Sequence, residues 1–158
     1  MNDTVRSGEN KVVYRLVRAR DGSVVTSECY NLRTSDGATW QANQMAGSPT
    51  TIIRHISLTS NTATPVSADT NLVGELAADG LSRKTGTLTY TAGASRYTLD
   101  ATWQYTGGSV LTVAKAAIAS AITDLNSSAD THFVITALSP VAVMDSNDTL
   151  TINWGIAF

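Results

Sequence analysis

The chain has 158 residues, a net charge of −2 and 15% charged side chains, against about 25% in an average globular protein. A chain of this size buries enough surface to fold as one domain without a disulfide or a metal. The composition excludes a membrane-spanning helix, since no run of about 18 apolar residues occurs, and it lacks the basic stripe with interleaved aromatics that nucleic-acid binding needs. About a quarter of the residues are Ser or Thr. Thr favours strands and Ser favours turns, so the composition points to a β-sandwich or a related double-sheet fold. The single cysteine, Cys29, has no partner for an intrachain disulfide and reads as a small buried hydrophobe.

Residues 1–10 are polar and read as a flexible arm, with a single β-domain over 11–158. Lys11 to Arg18 and Ser23 to Cys29 read as strands, and the Asp21-Gly22 pair between them is a hairpin signal. Ser35 or Asp36 is placed to cap a helix from Ala38 to Met45, with Trp40, Gln44 and Met45 on a shared face and Gly47 as its stop. Thr51 to Leu58 reads as a strand, followed by a Ser/Thr/Asn/Ala/Pro loop to Ala68. Asp69 is expected to cap a short helical turn that sets Leu72 and Leu76 on one side. Leu81 to Thr91 and Ser95 to Tyr105 read as two strands joined at Ala92-Gly93-Ala94.

Val110 to Ile122 fits either a strand or a helix. Its alanines favour helix; the Val-Leu-Thr-Val opening favours strand, and strand is the reading taken. Thr131 to Leu138 reads as a strand, and Pro140 as a bend or the start of a short edge strand. Asp145 to Asp148 is a turn. In the last stretch Leu150, Ile152, Trp154, Ile156 and Phe158 alternate with small or polar residues, which predicts a strand with one buried face. A closing strand that reaches the last residue is expected to leave no room for a C-terminal tail, tag or anchor. The whole pattern predicts a mainly all-β, sandwich or jelly-roll-like fold with one or two short helices.

Catalysis needs converging titratable or nucleophilic groups, and no such pattern is evident. His55 and His132 both lie inside predicted strands, where a structural role is expected. No Cys/His cluster has zinc-ligand spacing, Gly93-Ala94-Ser95 lacks the frame of a nucleophile elbow, and Asp145, Asn147 and Asp148 lack the Gly and distal Glu of a calcium loop. Arg83 is a candidate ion-pair partner for Glu75. Trp103 and Trp154 lie on the apolar faces of their strands, so core packing is expected in place of a sugar-stacking platform. No catalytic residue, cofactor or metal is assigned, and an enzyme is not expected. The opening MNDTVRSGEN lacks the plan of a signal peptide, so synthesis and retention in the cytoplasm are expected.

Three groups of residues carry a resemblance. They are Asn31-Leu32, Gly37, Trp40 and Ala42; then Asp69-Thr70, Leu72, Glu75-Leu76, Gly80-Leu81 and Arg83; then Asp148, Leu150, Thr151, Ile152, Trp154 and Ile156. Their order across residues 12–158 resembles a family of small structural proteins of tailed bacteriophages. Relatives tend to show an acidic residue and a glycine where this chain has Ala114-Lys115-Ala116-Ala117-Ile118. The resemblance implies a virion component made in the host bacterial cytoplasm, most specifically a capsid decoration (cement) protein. Such a protein binds the outer surface of the major capsid protein and bridges adjacent subunits, here as an expected homotrimer without membrane or nucleic-acid contact. The expected contact residues are Asn2, Asp3, Thr4, Val5, Arg6 and Lys11 of the arm, with Arg15, Arg18 and Arg20. A tail, baseplate or fibre component is the alternative reading, and a carbohydrate-binding module using Trp40 or other exposed aromatics is the third.

Overall fold

The computed structural model describes residues 11–47, 53–90, 96–120 and 132–157. In chain order these form β1 (Lys11–Val17), β2 (Val24–Tyr30), β3 (Leu32–Arg33), α1 (Ser35–Met45), β4 (His55–Thr59), β5 (Lys84–Thr85), β6 (Thr87–Tyr90), β7 (Arg96–Gln104), β8 (Leu111–Ala119), β9 (His132–Met144) and β10 (Thr149–Ala157). Two five-stranded antiparallel sheets result. Sheet A has the order β2-β1-β10-β7-β6 and sheet B the order β3-β9-β8-β4-β5. The all-β reading of the sequence is therefore what the chain forms, with one α-helix among the described residues.

Sheet A is built around its last strand. β10 lies between β1 and β7, with Ile152 opposite Tyr14 on one side and Ala101 on the other. Strand alternation sends Leu150, Ile152, Trp154 and Ile156 inward, where each is at most 5% exposed. They meet Val12, Tyr14, Leu16, Leu99 and Trp103 from sheet A, and Ile56, Leu58, Val113, Ala116, Ile118 and Met144 from sheet B. Phe158 lies outside the described residues. The Asp21-Gly22 hairpin is present: the Arg18 amide donates to Ser23 O at 2.8 Å and the Gly22 amide to Arg18 O at 2.9 Å.

Both flanks of the sandwich close because the chain changes sheets without a turn. On one flank β2 leaves sheet A at Tyr30 and continues into β3 of sheet B. The intervening Asn31 accepts a hydrogen bond from the Thr136 hydroxyl at 2.8 Å. On the other flank β5 of sheet B passes into β6 of sheet A at Gly86. This is why the expected Leu81–Thr91 strand is two short ones. A Cβ at Gly86 would sit 2.6 Å from Leu99 Cδ1, so the crossing depends on glycine.

Other expectations are corrected by packing. The helix starts earlier than predicted, with Thr34 as its cap accepting from the Gly37 amide at 3.0 Å. It lies so close to β9 that a Cβ on Gly37 would fall 2.1 Å from Phe133 O. Trp40 packs edge-on against Phe133 with ring centroids 5.2 Å apart, whereas Gln44 and Met45 face outward, so the three do not share a buried face. No helical turn follows Asp69; that segment is irregular, with Leu72 buried and Glu75 bridged to Thr59. Of the ambiguous 110–122 stretch, Leu111–Ala119 form a strand, β8, and residues 121 and 122 lie outside the described residues. Pro140 neither ends β9 nor starts an edge strand.

β9 bulges at this proline instead. Val113 pairs with Ala142 and Lys115 with Ala137, so four residues of β9 oppose one of β8. The bulge leans onto sheet A, where Tyr14 Oη donates to Pro140 O at 2.7 Å and Ser27 Oγ to Ser139 O at 2.6 Å. Burial first, and then the nearby Cys29, raise the Tyr14 phenol above its ordinary range.

Candidate functional site

The two outer faces of the sandwich differ, and the difference locates the candidate surfaces. On sheet B, Ser57, Thr59, Lys115 and Ile135 point outward by alternation, yet they are 0%, 0%, 6% and 1% exposed. They are roofed by the strap, residues 60–82, which leaves β4 and runs across the sheet. The Thr59 hydroxyl meets Val73 O and Gly74 O, each at 2.8 Å, and accepts the Asn61 amide at 3.0 Å. His132 Nδ1 lies 3.3 Å from Thr70 O. The Ser35 amide at the helix start donates to Ser67 O at 2.7 Å. The return end is clasped by a two-pronged ion pair, Arg83 Nε to Glu75 Oε1 at 2.8 Å and Arg83 Nη2 to Glu75 Oε2 at 2.6 Å. Both side chains are 1% exposed, so this pair, expected from the sequence, is a buried one. Beneath the strap lies a cleft of about 80 Å³ lined by residues including Asn61, Asp69, Leu72, Lys115 and Ile135.

Among the described residues, no segment roofs the outer face of sheet A. None of its described residues is buried. The register lines up its side chains in rows across the strands. Thr26, Arg15, Thr151 and Thr102 form one row, and Glu28, Val13, Asn153, Asp100 and Thr87 another. Directly opposed side chains in antiparallel strands share a face and touch. Thr102 Oγ1 and Thr151 Oγ1 are 2.9 Å apart, Lys11 Nζ donates to Glu28 at 2.8 Å, and Asn153 Nδ2 donates to Asp100 Oδ1. Lys11 pairs with Glu28, and with Arg15 in the first row and Asp100 in the second the face as a whole carries two of these cations against two anions. The result is a stiff surface of hydroxyls and amides that can exchange hydrogen bonds with another surface while presenting little net field.

The predicted contact residues fall into three groups. Asn2, Asp3, Thr4, Val5 and Arg6 lie outside the described residues. Lys11 and Arg15 stand on the bare face of sheet A, and Arg20 is exposed in the β1–β2 turn with Asp21 at 3.5 Å. Arg18 has a structural task. It pairs with Asp148 at 2.9 Å and also donates to Val143 O, tying the β1–β2 turn to the turn between β9 and β10. Asp148 is 1% exposed. Burial opposes its ionisation, but the Asp145 and Ala19 amides and the Arg18 guanidinium outweigh that and hold the carboxyl below its ordinary value.

The two histidines lie at the same end of sheet B, on either side of β8, each opposite Ala119. His55 Nδ1 lies 3.0 Å from Thr85 Oγ1, and His132 is fully buried against the strap. Trp103 and Trp154 are core residues, each 0% exposed, and Trp103 Nε1 donates to Ser82 O at 2.8 Å. The large exposed rings are Tyr30 and Tyr90, on opposite edge strands of sheet A. Tyr97, opposite Tyr90, is buried enough that its phenol is pushed up to about 12. Among the described residues no three His, Cys, Asp or Glu side chains are grouped to hold a metal ion, and no helix is long and apolar enough to cross a membrane.

Comparison with protein families, with characterised proteins and with solved structures finds no match to this chain. Sequence reasoning passed over both surfaces described above. The bare face was already encoded in the alternation of Thr149, Thr151 and Asn153 with the apolar residues of β10. The cleft had one signal, a lone Lys115 inside an Ala-rich strand.

Proposed function

We propose that this chain is a structural protein that works by docking through the bare face of sheet A, in the setting of a tailed-bacteriophage particle. Its most specific role is that of a capsid decoration protein, bridging adjacent copies of the major capsid protein from outside, with three copies meeting around a local three-fold. The observation that carries the docking reading is the contrast between the faces: sheet B has its outward polar groups covered by its own chain, and sheet A has not. A surface of ordered Thr, Asn and charge-paired residues on fully paired central strands suits broad, rigid contact, because little entropy is lost when it is covered. The virion setting rests on the sequence resemblance. Lys11, Arg15 and Arg20 border or occupy the docking face, and Arg18 serves it only by holding the β1–β2 turn in place. The mechanism is added contact area between capsid subunits, resisting the outward pressure of packaged genome.

The test is binding of the purified full chain to capsids that lack it, read by co-sedimentation and by imaging. Saturation at hundreds of copies per particle is the expected result. Occupancy limited to a few dozen sites at one vertex or on the tail would instead favour the tail or baseplate reading. A sugar-binding role would rest on Trp40, which is half-buried against Phe133, or on the exposed rings of Tyr30 and Tyr90. Quenching of tryptophan fluorescence by a glycan panel would favour it, and no response would count against it.

A further inference from the structure

The cleft beneath the strap holds chemistry that docking does not use. We propose that Lys115 and Asn61 form an intramolecular isopeptide bond, with Asp69 carrying the protons. Lys115 is 6% exposed, and its Nζ is held 2.8 Å from Ala63 O and 3.4 Å from Asn61 Oδ1. The carboxamide it faces is fixed in place. Asn61 Oδ1 accepts the Ala63 amide at 2.8 Å, and the Asn61 amide is anchored to Thr59 Oγ1 at 3.0 Å. The Ala63 N–H therefore points at the oxygen on which negative charge grows when an amine adds to the side-chain carbonyl, the arrangement of an oxyanion hole. Asp69 lines the same cleft, its Oδ2 accepting from the Val66 amide at 2.9 Å. Leu72 and Ile135 supply an apolar wall, and their burial at 1% each limits competition from water.

An amine, an activated carboxamide and a carboxylate confined to one small cleft have the high effective concentration that makes an otherwise slow amide exchange possible. The step balances without an added reagent. The Lys115 ammonium gives one proton to the Asp69 carboxylate. The resulting amine attacks Asn61 Cγ, forming the new C–N bond and a tetrahedral centre whose oxygen is held by the Ala63 amide. The attacking nitrogen loses a second proton to the departing NH₂ group as the old C–N bond breaks, releasing ammonia. Asp69 then returns its proton to that ammonia, which leaves as ammonium. The product joins the strap covalently to the middle of β8 and needs neither an oxidant nor a cofactor. It belongs to the fold and holds whatever the chain docks onto.

The test is the intact mass of the purified full chain followed by peptide mapping. The expected result is a mass lower by one ammonia than the sequence mass and a branched peptide joining the segments around residues 61 and 115. Lys115→Met and Asn61→Ala are expected to show the full mass. Asp69→Asn is expected to fold, judged by circular dichroism, and to stay unlinked or to link slowly. An unmodified mass after prolonged incubation of the native chain would overturn the proposal. So would loss of ammonia without a branched peptide, which marks a succinimide, or loss of water, which would make Asp69 the acyl partner.

Discussion

On sheet B the outward-pointing Ser57, Thr59 and Lys115 have lost contact with water and are met by Ala117 O, by Val73 O and Gly74 O, and by Ala63 O. On sheet A the outward-pointing Thr26, Thr87, Thr89 and Thr102 remain exposed. The strands of the two faces are similar in kind, but among the described residues only one face carries its own cover. A buried polar group without a partner costs about 1–3 kcal/mol, so covering a Thr-rich face requires a cover that supplies an acceptor for each hydroxyl. The strap's backbone carbonyls do this for Thr59 and Lys115, while Ser57 is met by Ala117 O of β8 itself. The hydroxyls of sheet A keep their capacity for water, for each other, or for another molecule.

That contrast can be broken from the strapped side first. Arg83→Met leaves the Glu75 carboxylate buried without its partner, and breaking a buried pair in this way costs roughly 3–5 kcal/mol. Urea unfolding should show the loss as a lower midpoint; a change within error would mean that the clasp does not hold the strap. Gly86→Ala acts on the flank that both faces share, forcing a methyl group against Leu99, and overpacking of this kind costs about 1–3 kcal/mol.

Asp148 provides a control tied to neither face, because it joins the turns at the end of the sandwich. Its folded-state carboxyl titrates below its unfolded value of about 3.9. The stability it contributes is therefore complete above that pH and is lost as the pH falls through the lower folded value. Asp148→Asn should be less stable than the native chain at neutral pH by roughly 1.5–3 kcal/mol, the scale of a charged hydrogen bond. The gap should narrow in acid, measured as unfolding free energy against pH. A gap that stays constant down to pH ~2 would show that ionisation is not what matters there. The smallest effect is expected on the bare face, where Thr102→Ala should change stability by no more than about 0.5 kcal/mol, as exposed substitutions usually do. A larger loss in thermal unfolding would mean that the Thr102–Thr151 contact is structural.

Local patterns in the sequence carried the sheets further than the connections between them. The alternation in β10, the Asp21-Gly22 turn and the Glu75–Arg83 pair were all legible, because each depends on spacing or complementary charge within a short stretch. The strand switch at Gly86 was not, since its cause is a leucine on another strand. The segment after Asp69 looked like a helix turn from its Asp and two leucines four apart. It is irregular because Thr59, distant in sequence, captures the Val73 and Gly74 carbonyls, and tertiary hydrogen bonds override so weak a local preference. Arg18 looked like a free surface cation because its partner, Asp148, lies 130 residues away. The cleft depends on three segments meeting, and no spacing in the sequence announces that Asn61, Asp69 and Lys115 are neighbours.

The central claim is that the chain docks through sheet A and not through the strapped face. It is tested most directly by capsid binding of two variants that each place a cation on one outer face, Thr151→Arg on sheet A and Val73→Arg on the strap, whose valine is 60% exposed. A charge buried without a partner in an interface typically costs several kcal/mol, so Thr151→Arg should weaken binding at least about tenfold with its unfolding midpoint unchanged, and Val73→Arg should bind as the native chain does. Loss of binding confined to Val73→Arg, with Thr151→Arg unaffected, would contradict the account.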